Sequence, residues 1–312
     1  MVKMRWAGWV LTTLLAATTL LAQEPDVPRF RVGVDTVSLS ITLLDDDGHL
    51  VTGLPEENFT VYEDGVEQPI QFFAHGELPL KMVILLDVST SMRQKLEMAQ
   101  EAAVRFVDSL EPGDEVQVVE FGGRVLTLVE FTPDFTEVAN AIRSTTVEGA
   151  TALYNAIYIS LKDLEAYPSD QLDRRAIVVL SDGNDTQSVL RFEDVKEQAR
   201  KSNIIIYAIS LRASDRDLKK EKYRNAKYEL DMLAEESGGV SYAPETLNDL
   251  SGVYEEILEE LKAQYTIGYV STNTEHDGKW RHLQILTAEP GTSVRTREGY
   301  YAPRKSRRRR TR

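Results

Sequence analysis

Between Lys81 and Lys262 short unbroken apolar runs alternate with stretches whose apolar residues recur every three or four positions. Met82 to Leu86 and Ala176 to Leu180 are wholly apolar and too short for core helices, so they read as strands buried on both faces. Val116 to Phe121, Val125 to Phe131 and Ile204 to Leu211 are further strands. Helical spacing places Leu96, Ala99, Ala103, Phe106 and Leu110 on one face, ahead of the stop at Pro112-Gly113-Asp114. Leu153, Ala156, Ile157, Leu161 and Leu164 mark a second such face. Helices are also predicted near Asp134 to Arg143, over Phe192 to Lys201, ending at Gly238-Gly239, and over Leu247 to Lys262. Buried strands separated by amphipathic helices predict an α/β fold, a doubly wound and mostly parallel sheet flanked by helices.

The flanks follow a period of two. Val37, Leu39, Ile41 and Leu43 alternate with Ser38, Ser40 and Thr42, up to the turn Asp45-Asp46-Asp47-Gly48. Phe59 to Tyr62 and Val66 to Phe73 enclose Glu63-Asp64-Gly65, a tight hairpin. Tyr265 to Val270, His282 to Thr287 and Ser293 to Tyr301 are three more strands. Neither flank has enough strands for a core of its own. The economical arrangement pairs residues 30–75 with 263–303 in one small all-β domain, with residues 79–262 inserted between them.

The 312 residues are 42% hydrophobic and 8% aromatic, as in an ordinary globular protein. Net charge is −14, yet Arg304 to Arg312 carries seven basic and no acidic residues, which leaves −14 − 7 = −21 on the rest. An acidic body argues against a nucleic-acid-binding core and suits a protein that recruits cations. Residues 1–22 have the form of an export signal: Lys3 and Arg5, an apolar stretch from Val10 to Leu21, and small Ala22 at the end. The expectation is an exported protein, periplasmic or secreted after cleavage, with residues 23–29 as a linker; an uncleaved anchor is the alternative. There is no cysteine, so disulfides and lipidation at cysteine are excluded.

The most specific chemistry lies where the buried strand Met82 to Leu86 ends, in Asp87-Val88-Ser89-Thr90-Ser91. One carboxylate and two hydroxyls on a single turn are hard oxygen ligands suited to Mg²⁺, and too few to complete an octahedron. Thr151 and Asp182, on two later loops, can supply the rest. Taken singly, the serines and Thr151 are also common helix caps, and Asp182-Gly183-Asn184-Asp185 an ordinary turn. In a doubly wound sheet, however, all three loops belong to the edge where ligands bind.

With these three segments in this order, the chain resembles the von Willebrand factor A-type domain family over about residues 79–262. Phe59-Thr60-Val61-Tyr62-Glu63-Asp64-Gly65, Gly149-Ala150-Thr151-Ala152-Leu153-Tyr154 and Gly299-Tyr300-Tyr301-Ala302-Pro303 make it similar to an exported bacterial branch. The resemblance implies a metal-ion-dependent adhesion site. Ser89, Ser91 and Thr151 would bind through hydroxyls, and Asp87 and Asp182 directly or through water. One position would stay open for a Glu or Asp carboxylate of a protein partner. It implies Mg²⁺, with Mn²⁺ or Ca²⁺ as alternatives. Ala150 stands where many relatives have glycine and Asn155 where many have aspartate; neither change removes a ligand atom.

Two other readings accompany this one. A structural or assembly module of the cell envelope could keep the motif without using the ion. A Mg²⁺-dependent phosphatase would want an acid–base partner near Asp87, and His49, His75, His276 and His282 all lie outside the α/β region. A non-enzymatic protein is therefore expected. The charge run Arg212 to Lys227 should rim the metal face as a solvated surface. The arginine-rich tail, 304–312, could touch anionic envelope but is too short for a nucleic-acid-binding domain.

Overall fold

The computed structural model describes residues 36–76, 78–168, 173–182, 185–211 and 221–304. The expected export signal, the linker, most of the 212–227 charge run and nearly all of the basic tail lie outside them.

The centre is a six-stranded sheet of β5 (Leu80–Asp87), β6 (Glu115–Phe121), β7 (Val125–Thr132), β8 (Arg174–Ser181), β9 (Ile205–Ser210) and β10 (Ser241–Tyr242). Its spatial order is β10-β9-β8-β5-β6-β7, parallel except for β7. Alternate residues of β5 feed two cores. Met82, Ile84 and Leu86 pack with α1 (Leu96–Asp108), α2 (Phe135–Ser144) and α6 (Leu250–Ala263). Val83 and Leu85 pack with α3 (Leu153–Ala166), α4 (Phe192–Lys201) and α5 (Glu221–Ser237). Helices on both faces explain why these strands carry no polar alternation.

The chain leaves β5 for β6 on one side of the sheet and leaves β8 for β9 on the other. The carboxyl ends of β5 and β8 therefore border the crevice where the strand order reverses, the usual ligand position in such a sheet. Asp87 ends one of these strands and Asp182 follows the other.

The flanks build two four-stranded antiparallel sheets. One has the order β13-β1-β11-β4, from β13 (Thr292–Arg295), β1 (Thr36–Asp45), β11 (Tyr265–Val270) and β4 (Ile70–His75). The other has the order β14-β12-β2-β3, from β14 (Gly299–Tyr301), β12 (Trp280–Thr287), β2 (Phe59–Glu63) and β3 (Val66–Gln68). Leu39 and Ile41 of β1, Val61 of β2, Ile267 of β11 and Ile285 of β12 share a single core, so the sheets form a sandwich. The α/β unit is inserted in it, as the pattern of elements predicts.

Two predicted strands need correction. Val66 to Phe73 is divided at Pro69 into β3 and β4, which belong to different sheets. Proline has no N–H to donate and so suits the point where a strand leaves one ladder for another. Ser293 to Tyr301 is likewise two strands, β13 and β14, with Thr296 to Glu298 crossing between the sheets. Among the described residues no helix is long and apolar enough to cross a membrane.

Candidate metal centre

Asp87 is the last residue of β5 and is fully buried. Its Oδ1 accepts the Ser89 backbone N–H at 2.8 Å and its Oδ2 accepts the Ser181 hydroxyl at 2.6 Å. Burial pushes its carboxyl up to about 6; the Ser181 and Ser89 hydrogen bonds oppose the shift and the nearby Asp182 charge adds to it. Among the described residues its hydrogen-bond donors are neutral, an arrangement that leaves the carboxylate free to accept a cation.

Three more predicted ligands join it. Ser89 and Ser91 hydroxyls lie 2.9 Å apart, and Ser91 Oγ donates to Asp182 Oδ1 at 3.0 Å. Ser89 and Asp182 are buried, while Ser91 reaches the surface. The cis edge of an octahedron with 2.0–2.1 Å metal–oxygen bonds is about 3.0 Å. Two of the oxygen–oxygen spacings already match it. The donors therefore fit a small hard cation in chemistry, and the Ser89, Ser91 and Asp182 oxygens are close enough to share one.

Thr151 is brought alongside without being bonded to the other four. Its loop is stitched to the Asp87 loop by main-chain contacts: Glu148 N to Val88 O at 2.6 Å and Thr90 N to Gly149 O at 3.0 Å. Thr151 itself is held through its backbone. Its N–H donates to Thr186 Oγ1 at 3.0 Å, and its carbonyl accepts from the N–H groups of Thr186 and Gln187 at 2.9 and 3.0 Å. Gly122 allows this approach, since a Cβ there would lie 2.4 Å from the Glu148 carbonyl oxygen. The side chain is buried, and no described hydrogen bond occupies its hydroxyl.

Sequence reasoning missed Lys95. Its Nζ is 3.3 Å from Asp182 Oδ2 and 3.3 Å from the carbonyl of Leu211, with only 10% of the side chain exposed. In the sequence it stands just before the apolar face of α1, where a lysine ordinarily reaches into solvent. Ser181 was missed as well, because a serine closing a strand carries no signal of its own. Asn155 supports the rim, accepting the Leu190 N–H at 3.2 Å.

A second acidic group, Asp45, Asp47 and His49, converges on the exposed turn after β1. There Asp45 Oδ1 accepts the backbone N–H groups of Asp47 and His49 at 3.0 and 2.7 Å. These bonds make it a turn cap.

Residues 82–184 match the family model for the von Willebrand factor type A domain. A UPF0353 protein of Mycolicibacterium paratuberculosis is 25% identical over 232 residues, covering 68% of each chain. Among solved structures, a von Willebrand factor type A protein from Catenulispora acidiphila aligns with a TM-score of 0.51 at 13% identity, over 88% of this chain and 74% of that one. Proximal thread matrix protein 1 of the mussel byssus, solved with a zinc-occupied MIDAS motif, aligns with a TM-score of 0.50 at 17% identity, over 64% and 49%. At these identities the structural matches speak to fold.

Proposed function

We propose that the chain, whose residues 82–184 match the von Willebrand factor type A domain model, is an exported, non-enzymatic protein-binding module that grips an acidic group of its partner through Mg²⁺. Asp87, Ser89, Ser91, Thr151 and Asp182 would hold the ion. The observation that carries this reading is the linked set Asp87–Ser89–Ser91–Asp182 at the crevice between β5 and β8, with oxygen spacings of 2.9 and 3.0 Å. When bound, the ion supplies a Lewis-acidic position for an external carboxylate. The chain's own residues do the rest. Two carboxylates balance a divalent charge, neutral hydroxyls leave it electrophilic, and the parallel strands keep the loops from rearranging. Val189, 90% exposed, lies on the same loop as Thr186 and Gln187, which hold the Thr151 backbone.

Binding rather than catalysis is supported by the direct hydrogen-bond partners of Asp87, the nearby Asp182 carboxylate being tied to Lys95. Among the described residues its hydrogen-bond partners are Ser89 and Ser181, which have no acid–base capacity near neutral pH. A structural envelope module is the runner-up, favoured by one observation: Lys95 already neutralises Asp182 without any divalent ion.

Calorimetry with Mg²⁺ tests the ion, and capture from an envelope fraction with and without chelator tests the partner. Wild type should bind the ion and hold its partner only in Mg²⁺, while Asp87→Ala should do neither and keep its fold. Capture by wild type that persists in chelator, or capture by Asp87→Ala in Mg²⁺, would leave the structural module standing.

A further inference from the structure

Gln117 is the third residue of β6 and is 1% exposed, in a strand whose other buried positions are apolar. Its amide Nε2 donates to Glu130 Oε2 of β7 at 3.0 Å. The same amide hydrogen-bonds the half-buried carboxylate of Asp163 on α3. One neutral side chain thus stands between two acids. Burial raises the Asp163 pKa; the Gln117 hydrogen bond opposes the shift and the Glu130 charge adds to it. Among the described residues no lysine or arginine forms an ion pair with either acid. Lys162, the next residue along α3, is engaged by Glu165 at 2.9 Å, and Lys81, across the sheet, by Glu115 at 2.5 Å.

Two further oxygens are left over. Gln117 Oε1 and Ser160 Oγ are both buried, and neither has a hydrogen-bond partner. The helix brings them to one place. Tyr167, just past the end of α3, donates its hydroxyl to Glu115 at the start of β6 at 2.5 Å, while Asp163 meets Gln117. That row of α3 therefore runs antiparallel along β6. Ser160 lies one turn further on the same face, which sets it over the stretch from Gln117 to Val119. A buried acceptor without a partner is costly. Turning the Gln117 amide over exchanges Nε2 with Oε1 and aims the carbonyl oxygen at both carboxylates. With no cation there, three oxygens would repel; around a cation they become ligands.

We propose that Asp163, Glu130, the Gln117 amide oxygen and the Ser160 hydroxyl form a Ca²⁺ site between the edge of the central sheet and α3. Two carboxylates balance the charge, and their solvent-facing sides leave room for water ligands. Ca²⁺ takes about six to eight oxygens in irregular geometry, which suits this mixed set better than the strict octahedron of Mg²⁺. Gln117 stands four residues before Phe121, whose carbonyl accepts the Val88 N–H beside Asp87. The site is thus about 13 Å along the strand from the metal centre. It is independent of that centre and of the function proposed for it.

The test is calorimetry with Ca²⁺ on the full chain carrying Asp87→Ala, which silences the proposed metal centre and spares this site. One Ca²⁺ should bind with a Kd of about 1 mM or tighter, the range of extracellular calcium modules. Adding Asp163→Asn should weaken Ca²⁺ about tenfold or more, and adding Glu130→Gln should do the same. Glu130 is exposed, so its substitution should not lower the melting temperature in chelator. Ca²⁺ should raise the melting temperature of the Asp87→Ala chain and of neither double variant. Absence of saturable Ca²⁺ binding to the folded Asp87→Ala chain would overturn the inference and leave Gln117 as a plain bridge between two acids. Full Ca²⁺ affinity in either folded double variant would overturn it too.

Discussion

The Lys95 ammonium and the Asp182 carboxylate meet at 3.3 Å, on side chains only 10% and 3% exposed, across 87 residues of sequence. The pair places a fixed positive charge beside a carboxylate that the proposed ion would share. It has two opposed consequences. Without the ion it neutralises a buried negative charge, and with the ion it repels.

Lys95→Met keeps the side-chain length and removes the charge. Mg²⁺ should then bind roughly tenfold more tightly, because nothing competes for Asp182. The metal-free protein should lose about 3 kcal/mol of stability, the usual effect of stripping one partner from a buried pair. Titration calorimetry and urea unfolding in chelator measure the two. An unchanged ion affinity would show that Asp182 does not take part in binding.

Asp87 sets a pH dependence. Its folded pKa of about 6 lies above the ordinary 3.8, so the metal-free native state holds its proton more tightly than the unfolded chain. The stabilisation from that proton is complete below about 3.8 and fades as pH rises through 6, for a total of roughly 3 kcal/mol. In chelator, raising the pH from about 5 to about 7 should therefore cost roughly 1 kcal/mol through this group. Asp87→Asn should abolish that step. The proposed Mg²⁺ would compete with the proton for this carboxylate, so ion affinity in wild type should fall as pH drops below about 6. Unfolding curves with and without the metal across this window check both signs.

Thr151→Val separates the hydroxyl from the loop. Its backbone bonds to Thr186 and Gln187 do not involve the side chain, so the melting temperature should change little. Ion affinity should fall by about tenfold if the hydroxyl is a ligand. Unaltered Mg²⁺ binding would remove Thr151 from the site.

Removing residues 263–303 should unfold the first flank. β1 then loses both neighbours, β11 and β13, and β2 loses β12. The core of Leu39, Ile41 and Val61 would lie open. Limited proteolysis should cut within 36–75 in the truncated chain and spare that stretch in the full one. Protection in both would mean that the first flank folds alone.

Strand and helix positions in the α/β unit were legible because burial there is local and periodic. A strand covered on both faces must be apolar throughout, and a helix covered on one must repeat near 3.6. The Asp87 to Ser91 turn was legible for a similar reason, since one short segment carries three of the proposed ligands. Alternation in the flanks, by contrast, reports only that one face of a strand is buried. It does not say against which sheet. Pro69 and the Thr296 to Glu298 crossing redirect single apolar patterns into two different ladders, and only long-range pairing reveals it. Lys95 and Arg297 show the same limit for charge. In a sequence, each is a cation that water would solvate. The fold decides that one finds Asp182 and the other two carbonyls with no carboxylate, because the energy of a buried charge depends on neighbours distant along the chain.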